Sequence, residues 1–334
     1  MTDAKRIPTR TGRRRFLAAG ATALTLSGLS RAGLGIGAGP AAAQTGAQTG
    51  AQIGTPTAGP VLRRTIPSTG DTLPAVGLGS WITFNVGDDP VLRADCAEVM
   101  AAFLDAGGSV IDSSPMYGSS QAVIGAGLAR LGRRDAAFSA DKVWTGDTDE
   151  GRAQIERSRE NWRVPRFDLV QVHNLVEWEA HLDTLAAMKA AGEVRYVGIT
   201  TSHGRRHGDF EAIMRSQDLD FVQLTYNPVD REAEDRLLPL ARERGMAVLV
   251  NRPFRRDALT RRLEGEPLPG WASELGAETW AQLVLKFILS HPAATIPIPA
   301  TTKPEHAREN VLAATGPLPD DALRERLARH IQDI

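Results

Sequence analysis

A chain of 334 residues with 42% hydrophobic and 24% charged content is long enough to bury one large core and too apolar to be disordered throughout. Its 39 Lys and Arg nearly balance 40 Asp and Glu, but Met1 to Ala43 hold seven basic residues and one acidic, leaving 32 against 39 and a net charge of −7 for the rest. An acidic body argues against nucleic acid and anionic membrane as partners, and the single cysteine, Cys96, excludes an intrachain disulfide and is expected to pack within a helix.

The opening segment TGRRRFLAAGATALTLSGLSRAG carries Arg13 and Arg14, then Phe16 and Leu17, then a weakly apolar run interrupted by Gly, Ser and Arg31. Residues 1–43 are expected to be a twin-arginine export signal, with cleavage near Ala43, the export machinery as a partner, and a periplasmic or otherwise exported destination. The run is too broken for stable membrane insertion to be expected. Residues 44–60, a repetitive stretch rich in Ala, Gln, Thr and Gly, suit a flexible low-complexity linker. The glycine-rich GLGIGAG at 33–39 follows no strand pattern and opens no helix, so no dinucleotide site is assigned there.

Residues 61–334 alternate strand and helix patterns. LRRTIPSTGDTLPAV has the turn residues of a small hairpin. Strands are then expected near VGLGSW, SVIDS, AAFSA, DLVQVH, VRYVGIT, FVQLTY, MAVLV and ATIPI, with helices between them, including DCAEVMAAFLDA, WEAHLDTLAAMKAA and AETWAQLVLKFILS. Eight strand-and-helix units in one alternation favour an α/β (β/α)8 TIM barrel over an open doubly wound sheet. The connection at 252–270 is longer than its neighbours and is expected to cover a cofactor or substrate. DDALRERLARHIQDI reads as a terminal helix.

Asp112, Lys142 and His173 end successive apolar segments at intervals of roughly 30 residues, about one strand-plus-helix unit. In a parallel barrel such ends converge on one face. With Tyr117 they are the parts needed to reduce a carbonyl: hydride delivery to the carbon leaves negative charge on the oxygen, which a donor must meet. Tyr117 is expected to be that donor, with a neighbouring Lys142 ammonium improving the phenol as an acid and Asp112 keeping the lysine charged. His173 is expected to orient the carbonyl by a second hydrogen bond.

IDSSPMYGSSQAVIGAGL, SADKVW and LVQVHN, with PAVGLGSW, GEVRYVGITT, QLTYNP and IPATTKPEHARENV, resemble the aldo/keto reductase superfamily from about Thr65 onward. The resemblance implies an Asp, Tyr, Lys, His tetrad, a hairpin plug at the barrel floor, and a nicotinamide dinucleotide, NADPH with NADH as the alternative. It implies a carboxamide held near Thr200, Thr201 and Gln223, with Arg252 after the seventh strand, and phosphates near Thr301, Thr302, Lys303, Glu309 and Asn310. Ala300 and His306 stand where many NADPH-preferring relatives have Lys and Arg, and Asn251 and Arg252 stand where a nicotinamide-stacking ring is common, leaving Phe254 as the substitute. Trp81, Phe84 and Trp144 follow strand ends and are expected to wall a pocket for a small-molecule carbonyl substrate. No metal set is assigned: His203 and His207 lie between arginines that repel a cation. The competing reading is a nucleotide-binding sensor or interaction protein that turns over slowly or not at all. A metal-dependent barrel hydrolase is a third.

Overall fold

The computed structural model describes residues 59–334, so the expected signal and all but the end of the linker lie outside the described residues. The first elements are an antiparallel pair, β1 (Arg63–Thr65) and β2 (Thr72–Pro74), in register Arg64↔Leu73. Eight parallel strands follow in unbroken sequence order: β3 (Leu78–Gly79), β4 (Val110–Asp112), β5 (Phe138–Val143), β6 (Phe167–Val172), β7 (Val194–Thr200), β8 (Phe221–Thr225), β9 (Ala247–Asn251) and β10 (Ile296–Pro297).

The first and last strands meet. Gly77 and Gly79 donate to the carbonyls of Pro297 and Pro299, each at 2.9 Å, so the sheet curls into a (β/α)8 barrel. Gly79 permits this approach, because a Cβ there would stand 2.7 Å from the Ile298 carbonyl oxygen. The closing strand is short because Pro297 and Pro299 have no N–H to give the ladder. All eight strands expected from the sequence are present.

The main helices between strands are α1 (Pro90–Asp105), α2 (Ser120–Leu131), α3 (Gly151–Trp162), α4 (Trp178–Ala190), α5 (His207–Ser216) and α6 (Leu237–Glu243). After β9 come α7 (Ala258–Arg262), α8 (Trp280–Ser290), α9 (Pro304–Leu312) and α10 (Asp321–Asp333). Helix α1 starts before the apolar pattern does, because Asp89 Oδ1 accepts the Val91 and Leu92 N–H groups and Pro90 is preset for a first turn. The long connection after β9 contains α7, which the sequence pattern did not reveal.

Strand alternation divides the core in two. Inward side chains such as Val110, Phe138, Leu169, Tyr196, Phe221, Leu249 and Ile296 fill the barrel, while Ile111, Val170, Val172, Val222 and Val248 pack outward against the helices. Ile66 and Leu73, from the two hairpin strands and their turn, belong to the inner cluster. Phase along each strand therefore decides which residues reach the barrel lumen.

The outward phase of β5 carries a buried carboxylate. Asp141 on β5 is fully buried and accepts hydrogen bonds from Lys142 N (2.7 Å), Gln121 Nε2 (2.8 Å) and Trp162 Nε1, tying the strand to α2 and α3. Replacing it with alanine leaves three buried donors unpartnered, each of which carries a desolvation cost. We expect Asp141→Ala to lower the unfolding free energy by about 3 kcal/mol or more, read as a reduced midpoint in thermal and urea unfolding.

Candidate active site

Inward phase on β4 and β5 delivers Asp112 and Lys142 to the carboxyl end of the barrel, where both are buried. Lys142 Nζ donates to Asp112 Oδ1 (2.7 Å), Asp112 Oδ2 (2.6 Å) and the Ser113 carbonyl (2.7 Å), so all three ammonium hydrogens are used. Gln223 Nε2 adds a bond to Asp112 Oδ1 at 2.9 Å. Beyond β4 the chain makes one 3₁₀ turn, Pro115–Tyr117, started by Pro115 and by the Ser114 hydroxyl, which accepts Met116 N–H at 3.2 Å. That turn lays the Tyr117 ring 5.4 Å from Lys142 Nζ and edge-on to the His173 imidazole, with ring centroids 5.8 Å apart. His173 follows β6 directly, and its Nδ1 lies 2.8 Å from Ser114 Oγ. The four residues singled out from the sequence therefore meet at one mouth of the barrel.

The electrostatics correct one expectation. Burial pushes the Tyr117 phenol well above its ordinary value of 10, and the Asp112 and Asp141 carboxylates push it further the same way. The Lys142 ammonium, paired with Asp112, does not outweigh burial and the two carboxylates at rest. Tyr117 is thus a phenol that keeps its proton until a stronger demand arises. Asp141 is itself pushed up to about 7 by burial, against the hydrogen bonds it accepts. His173 is held down to about 3, first by burial and then by Lys142, and is neutral in the folded protein.

The residues expected around a cofactor are placed as follows. Gln223 turns its amide to Asp112 and so braces the ion pair. The Thr200 hydroxyl accepts Asn174 N–H at 2.9 Å, and the Thr201 hydroxyl donates to the Arg205 carbonyl at 2.6 Å, so both serve the adjoining loops. Asn251 is pinned by Thr225 Oγ1 (2.6 Å) and by the Thr201 carbonyl (2.8 Å). Phe254, expected as the substitute for a stacking ring, is buried and belongs to the outer core cluster. Arg252 lies at the end of β9 with its Nε buried and unpartnered among the described residues. Thr301 is buried and accepts Lys303 N–H at 3.1 Å at the start of α9, where Thr302 and Lys303 are exposed. Glu309 accepts from Thr279, and Asn310 is buried.

Of the three expected wall residues, Trp144 is 41% exposed two positions past Lys142, and Trp81 is half-buried under the Arg256 guanidinium, 4.5 Å from its ring centroid. Phe84 is not a wall: its exposure is 0%, and the turn after β3 places its ring in the outer core cluster. Sequence reasoning missed Ile82 and Met116, both exposed at this mouth, and Ser114, which sits inside the motif that carried Asp112 and Tyr117.

It also missed a basic cluster. Arg205, Arg252, Arg255 and Arg256 converge from the loops after β7 and β9, and burial together with their mutual repulsion lowers the Arg252 value. Asp230 is the carboxylate facing them, 3.0 Å from Arg255 Nε. Arg252, Arg255 and Arg256 all hold positive φ, between 51° and 68°, a concentration of strain in one short turn. Among the described residues, no group of three or more His, Cys, Asp or Glu could hold a metal ion.

The sequence profile of the Aldo/keto reductase family matches residues 75–326. The chain is 27% identical over 217 residues to the aldo-keto reductase YhdN of Bacillus subtilis (strain 168), covering 60% of this chain and 65% of that protein. It is 23% identical over 310 residues to an NADH-specific methylglyoxal reductase of Escherichia coli (strain K12), covering 74% of this chain and 91% of that one. A crystal structure of an aldo/keto reductase from Klebsiella pneumoniae, in complex with NADP and acetate, superposes with a TM-score of 0.66 at 22% identity, covering 79% of this chain and 94% of that chain.

The two shifted groups predict a pH profile. A donor that must be protonated and has a raised value loses activity only above its ordinary 10, and an imidazole that must be neutral with a value near 3 loses activity only in strong acid. We expect kcat for reduction of an uncharged aldehyde to be flat from about pH 5 to about pH 9. A limb centred near the ordinary histidine value that persists in Asp141→Asn, measured by steady-state rates, contradicts that reading of His173.

Proposed function

This chain belongs to the aldo/keto reductase family, and from that membership and the site's geometry we propose that it is an NAD(P)H-dependent oxidoreductase that reduces an aldehyde or ketone to an alcohol. The observation that carries the reading is the convergence of a protonated phenol and a neutral imidazole over a buried ammonium-carboxylate pair. As charge develops on the carbonyl oxygen, Tyr117 gives up its proton to it. His173 holds the same oxygen in place. Lys142 and Asp112 fix the floor beneath the phenol, and the Lys142 charge stabilises the phenolate left behind. Trp81, Trp144, Ile82 and Met116 offer apolar surface to the rest of a small-molecule carbonyl substrate.

The bound dinucleotide supplies the hydride. Its class is supported by relatives named for NADH and solved with NADP. The residues present fit a polyanion: Arg252 has a buried, unpartnered Nε, and the guanidinium cluster around it has one facing carboxylate. The N-terminus of α9, with Thr301, Thr302 and Lys303, adds backbone donors and a mobile positive charge. Glu309 and Asn310 lie further along the same helix. NADPH is the assigned cofactor, with NADH as the alternative, since Ala300 and His306 remove two groups that would favour the 2′-phosphate.

A second reading, a nucleotide-binding sensor with little or no turnover, is favoured by Asn251 standing pinned where a stacking ring is common. We also propose that residues 1–43 direct twin-arginine export, that 44–60 tether the barrel of 61–334, and that the hairpin closes the barrel floor. The last point is supported by Ile66 and Leu73 in the inner cluster and by the Tyr196 hydroxyl bonded to Asp71 and Thr69. Because that route carries folded proteins, the reductase is expected to leave the cytoplasm with its nucleotide bound.

Two outcomes follow. Tyr117→Phe is expected to retain nucleotide affinity while losing about 10²-fold or more in kcat, measured by nucleotide oxidation; turnover unaffected by the change removes Tyr117 as the acid. Protein purified from the periplasm and denatured is expected to release stoichiometric nucleotide, and empty protein refutes the loaded-export proposal.

A further inference from the structure

The Ser114 hydroxyl is the polar group nearest the reacting side chains to which the reaction described above gives no task. It is fully buried, and its oxygen has two partners among the described residues: Met116 N–H, which it accepts at 3.2 Å, and His173 Nδ1 at 2.8 Å. A serine hydroxyl has one hydrogen and two lone pairs, and a neutral imidazole has one N–H and one bare nitrogen. Two assignments are conceivable. If Nδ1 carried the hydrogen and donated it, Ser114 would accept twice and its own hydrogen would point into the protein with no acceptor. If the hydroxyl donates to a bare Nδ1, the serine donates once, accepts once, and no buried polar hydrogen is left over.

Resting on the reductase reading above, we infer that Ser114 is a positioning residue: its hydroxyl donates to His173 Nδ1 and so places the imidazole's single hydrogen on Nε2, the nitrogen that meets the substrate oxygen. Nε2 has no partner among the described residues, as the proposal requires of a group kept for a ligand. The depressed value of His173 supplies the neutral ring, so there is one hydrogen to place.

The same hydroxyl also acts on Tyr117. By accepting Met116 N–H, Ser114 caps the turn that presents the phenol, and the phenol ring packs edge-on against the imidazole whose tautomer the serine sets. One side chain thus fixes the proton donor's position and the hydrogen-bond donor's polarity. Without it, the imidazole is free to carry its hydrogen on Nδ1 and to present Nε2 as a lone pair, which repels a carbonyl oxygen instead of orienting it.

The test is ¹⁵N NMR of the imidazoles of the intact chain at neutral pH, with the His173 signals identified by their loss in His173→Gln. The expected spectrum is that of a neutral ring protonated at Nε2. Ser114→Ala is expected to shift the ring toward a mixture of tautomers and to lower kcat about tenfold or more, with nucleotide KM unchanged. Ser114→Thr keeps the hydroxyl and is expected to recover most of the rate and the Nε2–H spectrum. A wild-type ring protonated at Nδ1, or an alanine variant with wild-type kcat, overturns the proposal. The wild-type spectrum needs no variant to fold and no substrate, so it decides the tautomer even if the alanine protein is unstable. An inactive wild type with an Nε2–H spectrum would sink the reductase reading and leave the serine assignment standing.

Discussion

Everything at the mouth of this barrel depends on one buried ammonium being fully partnered. Lys142 has no exposure to water worth counting, and an ammonium buried without partners carries a large desolvation cost. Three acceptors offset it: both Asp112 oxygens and the Ser113 carbonyl. The two carboxylate contacts make the pair bidentate, and Gln223 satisfies a remaining lone pair of Asp112, the condition under which a buried ion pair is tolerated. The pair stabilises the fold little by itself. Its worth lies in fixing a positive charge beneath a phenol that would otherwise leave its proton in place.

That arrangement separates the resting state from the reacting one. At rest, burial and two carboxylates hold the Tyr117 proton firmly, and the imidazole beside it is neutral. The site therefore carries no loose proton, and the phenol becomes an acid only when charge appears on an oxygen held against it. A phenol tuned low would be ionised before substrate arrived and could donate nothing. The geometry makes the neutral donor available across the physiological range, with the transition-state charge as the trigger.

Much of this was legible in the sequence because barrel strands report their phase. Asp112, Lys142 and His173 end apolar runs at one-unit intervals, and eight such runs leave few architectures that could hold them. What the sequence hid has physical reasons. Phe84 and Trp81 are both aromatic residues after a strand end, and only the turn between them decides that one faces the core and the other the mouth. Gln223 has the type and place of a ligand contact, yet its amide is drawn to Asp112 by a charge that lies 111 residues away. The upward direction of the Tyr117 shift is hidden in the sequence because the burial of the phenol, and its proximity to Asp112 and Asp141, exist only after folding. The arginine cluster joins two loops separated by α5, β8, α6 and β9, and no short window of sequence contains it.

The measurement that tests the account most directly is fluorescence titration of the folded protein with NADPH and NADH, followed by turnover of a simple aromatic aldehyde at saturating nucleotide. The account predicts tight binding of a reduced dinucleotide and its oxidation in step with aldehyde consumed. A barrel that binds neither nucleotide contradicts the assignment of this site, and one that binds without oxidising either contradicts its catalytic reading.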